Sequence, residues 1–209
     1  MYMRTKGLLI VVSGPSGAGK GTICKELLNR RNDINISVSA TTRAPRAGEE
    51  NGVNYFFLER GDFEEGIEND AFLEHAIVYN NLYGTPKDYV MEKVNAGEDV
   101  LLEIDIQGAL QVKERYPEGV FIFILPPSYE ELRNRIIGRG SETEETLKTR
   151  FSSAFDEIQL VDHYDYFIVN DKVDKAADLM VSIIVAERNR VLGNVEEILK
   201  TFKKEEIEC

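Results

Sequence analysis

The stretch "SGPSGAGKGT" at residues 13–22 sets Gly14, Gly17 and Gly19 ahead of Lys20 and Thr22. Glycine adopts backbone angles that a Cβ forbids, so such a loop can turn its N–H groups inward around one anion. Lys20 adds a mobile positive charge. The apolar run "GLLIVVSG" (7–14) precedes the loop, and a helical stretch from Gly19 to about Arg31 follows it. A strand, a glycine-rich loop with lysine and a helix N-terminus are together the setting of a P-loop, which cradles the phosphates of a nucleoside triphosphate. Gly14, Pro15, Ser16, Gly17, Ala18, Gly19, Lys20, Gly21 and Thr22 are therefore the expected triphosphate-binding set. The strict pattern places Ser or Thr directly after the lysine as a ligand of Mg2+. Here Gly21 takes that place, and Thr22 comes one residue late. The expectation is Mg2+ held by nucleotide oxygens and waters, with no direct protein ligand and Asp105 behind the waters. Thr22 then reaches the α-phosphate.

The remaining arginines ask for a second anion. The chain has 25 Lys+Arg against 37 Asp+Glu, a formal net charge of −12. Yet "SATTRAPRAGE" (39–49) places Arg43 and Arg46 beside three hydroxyls, with no acid until Glu49. Arg135 and Arg139 lie four apart, on one face of a predicted helix, and Arg150 lies on the next. A single arginine is usually a solvated one. Several of them flanking a P-loop, in a chain with few spare cations, point to a phosphate. The acid excess argues against a nucleic acid or a membrane surface as partner, since both need a broad basic face. A small phosphorylated ligand needs only a local cluster.

Short apolar runs carry these residues. Besides 7–14, "INISVSA" (34–40), "VLLEIDI" (100–106), "VFIFIL" (120–125) and "YFIVN" (166–170) read as strands separated by helices. That pattern predicts an α/β protein with a parallel five-stranded sheet flanked by helices. Two segments break the rhythm. Residues 41–91 read as a small mixed β insertion, with "YFFL", an acidic helix and a hairpin in "AFLEHAIVYNNLYG". Residues 126–157 read as two helices joined at Gly138–Gly140, with Ser141 or Thr143 as N-cap of the second. The expected core is then 1–40, 92–125 and 158–209. Residues 172–206 read as one or two amphipathic helices. Cys24 and Cys209 cannot build a disulfide framework, and no Cys/His spacing suggests zinc. No apolar run approaches the roughly 20 residues that cross a bilayer. A reducing, cytoplasmic location is expected. His75 and His163 read as packing and surface residues.

From "GPSGAGKGT" through "SVSATTRAPRAGEENGVNYFF", "FLEHAIVYNNLYGT", "LLEIDIQG", "RIIGRGSETEETLKTRF" and "YFIVND", the chain resembles the guanylate kinase family, from the P-loop to near Asp171. The resemblance implies a P-loop kinase that moves phosphate from ATP to GMP, and to dGMP, by direct in-line transfer with Mg2+ as cofactor. It implies that the β insertion binds GMP and that the helical insertion is a lid over ATP. Arg43, Arg46, Tyr55 and Tyr83 would hold the GMP phosphate. Ser39, Glu74, Thr85 and Asp105 would surround guanine. Arg135, Arg139 and Arg150 would be lid cations, with Lys20 and Arg43 the other catalytic charges, and Asn170 would contact adenine. By residue type alone, Tyr55 and Tyr83 are equally core aromatics with hydroxyls at the surface. A carboxylate at position 74 suits guanine, whose N1–H and 2-amino group are both donors. Two rivals differ in class or substrate: a scaffolding module that binds protein through this region, and a kinase for another phosphorylated acceptor. The resemblance leaves open whether the chain is a monomer or a homo-oligomer.

Overall fold

The computed structural model describes residues 6–78, 80–137 and 154–205. Strand β1 (Leu9–Ser13) lies at the centre of a five-stranded sheet of order β2-β7-β1-β8-β9. Its partners β2 (Ile34–Ile36), β7 (Asp99–Glu103), β8 (Val120–Leu125) and β9 (Tyr166–Val169) all run parallel within the sheet. Every residue of β1 is buried, as expected for a strand covered on both faces. On one face Ile10, Val12, Leu101, Ile122 and Ile168 pack with Ile23 and Leu27 of α1 (Lys20–Arg30) and Met180 and Ile184 of a long helix, Val173–Arg188. On the other face Leu9, Val11, Leu102 and Phe121 meet Val90 of α3 (Lys87–Asn95) and Val112 of α4 (Ile106–Arg115).

A second sheet, of order β4-β3-β6-β5, joins β3 (Ala40–Thr41), β4 (Phe56–Phe57), β5 (Phe72–Val78) and β6 (Asn81–Pro86). It is mixed: β3 pairs parallel with β4 and antiparallel with β6, and β5 and β6 form the expected hairpin. Asn80, at φ 66°, turns the chain there, a conformation that asparagine tolerates. The sheet has its own small core of Ala40, Phe63, Phe72 and Leu82, with Phe63 of α2 (Arg60–Glu68) stacked on Phe72 at 4.4 Å between ring centroids.

Two predicted strands end early. The run 34–40 divides, because Ala40 pairs with Gly84 and Phe56 in the second sheet while Ile36 stays in the first. The run 100–106 stops at Glu103 because Asp105 caps a helix: its Oδ1 accepts the Gly108 N–H at 2.8 Å, and Ile106 is already helical. The first helix expected in 126–157 is α5 (Tyr129–Ile137). The Gly138–Gly140 joint and the Ser141 or Thr143 cap lie outside the described residues, and 154–158 are helical. The C-terminal stretch forms two helices, α6 (Val173–Arg188) and α7 (Val195–Glu205). Among the described residues no helix is long and apolar enough to cross a membrane.

The end of the sheet opposite the P-loop is closed by Asp99. This carboxylate is 1% exposed and accepts the Leu8 N–H at 2.8 Å, while Arg188 approaches to 2.6 Å. It thereby ties β7, β1 and the end of α6. Breaking a buried charged pair from one side costs about 3–5 kcal/mol, because the surviving partner is left uncompensated. Asp99→Ala should lose stability of that order in urea unfolding, far more than loss of the exposed Arg60–Glu64 pair.

Candidate active site

All strands of the parallel sheet present their C-terminal ends at one edge, and the P-loop, Glu103 and Asp105 rise from that edge. Facing them is the second sheet. Between the two lies a cavity of about 370 Å³ lined by Ser16, Lys20, Ser39, Arg43, Arg46, Tyr55, Glu74, Val78, Tyr83, Gly84, Glu103, Ile104 and Asp105. It therefore unites nine of the residues singled out in the sequence, drawn from positions 16 to 105.

In the loop, Gly14, Gly17 and Gly19 have φ of 146°, 92° and 90°, conformations closed to most side chains. At Gly14 a Cβ would lie 2.3 Å from the Ile124 carbonyl oxygen. Lys20 opens α1 and folds back so that its Nζ donates to the Gly14 carbonyl. Burial pushes its pKa below the ordinary 10.5, while Glu103, Glu157 and Asp105 pull the other way. The lysine is thus held among carboxylates. Glu103 went unremarked in the sequence, though it lies two residues before Asp105. Its Oε1 would be 3.1 Å from a Cβ at position 21, so the carboxylate stands over the place where the strict motif carries its hydroxyl. Burial raises its pKa, and Lys20 opposes the rise. Glu103 thus joins Asp105 among the carboxylates that line the cavity beside the loop. Thr22 is exposed on α1.

At another wall of the cavity, Arg43 already has a partner. It forms a two-pronged bridge to Glu49, Nη1–Oε2 2.9 Å and Nη2–Oε1 3.0 Å, and Glu49 also accepts the Arg46 N–H at 2.7 Å. The hydrogen bond from Arg43 depresses the Glu49 pKa to about 2. Arg43 lies 5.4 Å from the Tyr55 ring centroid, Glu49 and to a smaller extent Tyr83 raise the Arg43 pKa, and the two tyrosine rings meet edge to face at 6.0 Å. Their hydroxyl-bearing rings thus belong to the arginine cluster rather than to a core. Arg46 is exposed at the rim.

Glu74, on β5, is 4% exposed. Thr85 on β6 lies behind it, fully buried, and donates Oγ1–H to its Oε1 at 2.6 Å. Gly108 makes room for it: a Cβ there would come within 2.4 Å of Glu74 Oε2. The strand register shifts between Phe72 and His75, and Gln111 of α4 repairs the irregularity, donating Nε2–H to the His75 carbonyl at 2.8 Å and accepting the His75 N–H at 3.2 Å. His75 is thus engaged through its backbone. Burial raises the Glu74 pKa from 4.5 to about 7, the Thr85 hydrogen bond lowers it, and Asp105 adds to the rise. Gly108 and Gln111 could have been suspected only from a fold that brings α4 against β5.

Arg135 and Asn170 lie on the other side of the P-loop. Arg135 donates from Nε to Glu131 at 2.8 Å and from Nη2 to the Asn170 carbonyl at 3.0 Å, and Asn170 donates Nδ2–H to the Ala18 carbonyl at 2.8 Å. Arg139 and Arg150 lie outside the described residues. His163 is on the surface, 3.8 Å from Asp162.

This fold and this cavity define a P-loop α/β protein whose cleft also holds a buried carboxylate, Glu74. Comparison with known proteins narrows the class. A family model for guanylate kinase matches residues 6–187. The guanylate kinase of Clostridioides difficile (strain 630) is 58% identical over 200 residues, covering 96% of this chain and 98% of that one. That of Clostridium tetani is 62% identical over 186 residues, 89% of each chain. The crystal structure of guanylate kinase from Anaplasma phagocytophilum superposes with a TM-score of 0.79 at 36% identity, covering 95% of this chain and 97% of that one. The chain belongs to the guanylate kinase family.

The raised pKa of Glu74 has a consequence for the ligand-free protein. A carboxyl held above its unfolded value stabilises the fold in full below pH 4.5, and that contribution, about 3 kcal/mol, is lost as pH rises through 7. Chemical unfolding at pH 5 and pH 8 should reveal this loss in the wild type. Glu74→Gln should remove most of the difference, and an equal pH dependence in both proteins would show that Glu74 is not its source.

Proposed function

We propose that this chain transfers the γ-phosphoryl group of ATP to GMP, and to dGMP, releasing ADP and GDP or dGDP. The observation that carries the reading is one cavity with Lys20 and the P-loop at one wall, an arginine–tyrosine cluster at another, and a buried Glu74 at the far end. Guanine offers N1–H and its 2-amino group to Glu74, with Thr85 steadying the carboxylate and Ser39 and Asp105 nearby. Arg43, Arg46, Tyr55 and Tyr83 take the acceptor phosphate, and the arginines match its oxygens with charge-assisted bonds. The donor triphosphate lies along residues 14–22.

The attacking atom is a phosphate oxygen that is already anionic, so in-line transfer needs no general base. The work is electrostatic: two anions must approach while charge spreads over the transferred group. Lys20 and Arg43 offset that repulsion, and Arg135, Arg139 and Arg150 are assigned to the lid that shuts water out. Segments 41–91 and 126–157 are the two closing units. Mg2+ bound with ATP would screen the transferring phosphates, and Glu103 and Asp105 would accept from its waters. The buried free thiol of Cys24 suits a cytoplasmic setting.

The test is ADP release from ATP with GMP, dGMP, AMP, UMP or CMP as acceptor. GMP and dGMP should be used, and the others rejected by about 10⁴-fold, as in sites built to pair with a substrate's donors. Equal rates with AMP would defeat the assignment of Glu74.

Lys20→Met should leave the fold intact and lower kcat by about 10³-fold or more. Arg43→Ala should weaken GMP by about ten- to a hundred-fold, the worth of one charge-assisted contact, and leave ATP affinity nearly unchanged. Equal losses for both substrates would erase the division into donor and acceptor sites.

GMP binding requires Glu74 ionised, so the GMP dissociation constant should rise about tenfold per pH unit below about pH 7 and level off above it. Glu74→Gln isolates the residue's share from that of the GMP phosphate. An identical pH profile in the variant would overturn the role.

A further inference from the structure

Asn170 follows β9 and is 4% exposed, with its side-chain amide turned to the P-loop. Its Nδ2–H donates to the Ala18 carbonyl at 2.8 Å across 152 residues of sequence. Its backbone N–H is taken by the Leu125 carbonyl at 2.7 Å, so the residue is anchored to β8. The bond is set by close packing: a Cβ at Gly19 would meet Asn170 Nδ2 at 2.3 Å. Arg135 reaches the same Ala18 carbonyl at 3.4 Å and the Asn170 carbonyl at 3.0 Å.

The Ala18–Gly19 peptide is trans, as are all peptides among the described residues. In a trans peptide the C=O and the following N–H point in opposite directions. Holding the Ala18 oxygen against Asn170 therefore aims the Gly19 N–H the other way, into the loop. With Gly19 at φ 90° and α1 beginning at Lys20, that N–H joins the unpaired first-turn amides of the helix at one focus.

We propose that Asn170 is a positioning residue for the phosphate loop: it locks the Ala18–Gly19 peptide so that the Gly19 N–H faces the triphosphate. Arg135 braces the same peptide from α5, which links the base of the lid segment to the loop. This rests on the triphosphate reading of the loop. It assigns Asn170 an action on the phosphates through Gly19, whichever base the nucleotide carries.

The experiment compares wild type, Asn170→Ala and Asn170→Asp in steady-state kinetics with ATP and GMP, and in calorimetric titration with ATP and Mg2+ alone. A donor misaimed at transition-state charge lowers kcat, so Asn170→Ala should lose about a hundredfold in kcat, beyond any change in KM for ATP. Asn170→Asp keeps the volume but sets a carboxylate against a carbonyl oxygen, and should be worse than Ala in both kcat and ATP affinity. A loss confined to KM for ATP, with kcat unchanged, would mean that Asn170 only reads the base and would overturn the proposal. So would an Asp variant as active as wild type. Absence of GMP-dependent ADP release in the wild type would defeat the proposed function instead, and the ATP titration would still report on the loop. Should the variants not fold, NMR of the wild-type Asn170 side-chain amide decides: its protons should exchange slowly both without ligand and with ATP. Loss of that protection when ATP binds would show that the amide leaves Ala18, and would overturn the proposal.

Discussion

Five parallel strands cannot be joined by tight turns. Each must be followed by a crossover that returns the chain to the starting end, and every strand then finishes at the same edge. In this protein that edge holds the P-loop after β1, Glu103 at the end of β7 and Asp105 just beyond it, α5 after β8 and Asn170 after β9. The sheet's two buried faces supply the rigidity, and the edge collects the chemistry. The mixed sheet lies across the same edge because it is inserted after β2 and before α3, the helix that returns the chain to the start of β7. Its separate core of Phe63, Phe72 and Leu82 lets it hold its own shape while it faces the loop.

Electrostatics inside the cavity follow a shared logic. Lys20 stands among Glu103, Glu157 and Asp105, and Arg43 is bridged to Glu49. An acidic chain thereby keeps its few cleft cations compensated when no ligand is bound. Glu74 is handled differently. Its neighbours are a hydroxyl, a glycine and another acid, so it is kept near neutrality by burial and not by a cation.

Much of this was legible in the residues because the P-loop is local: ten consecutive residues carry strand end, loop and helix start. The parallel sheet was legible from continuous apolar runs such as "VFIFIL". What escaped depends on distant partners. Asp105 reads like the alternate residue of a strand until Gly108 is seen bonded to it. Ala40 reads as an extension of β2, and only its pairing with Gly84 moves it to the other sheet. Glu49 looked like the end of a basic stretch and proved to be the carboxylate that grips it. Gln111 and Asn170 act on backbone atoms 36 and 152 residues away, and no periodicity or spacing reports such contacts.

The Arg43–Glu49 bridge also sets terms for what may enter. Glu49 is tethered six residues from Arg43, so it meets the guanidinium at an effective concentration of about millimolar or more. A dissolved anion must compete with that permanent occupant. Inorganic phosphate, held only by its oxygens, has little with which to win. A guest whose far end is gripped elsewhere in the cavity brings its own phosphate as a tethered rival, on equal footing with the carboxylate. On the proposed reading the bridge is a threshold: a molecule long enough to touch both Glu74 and Arg43 has the means to displace Glu49, and a fragment that touches one does not.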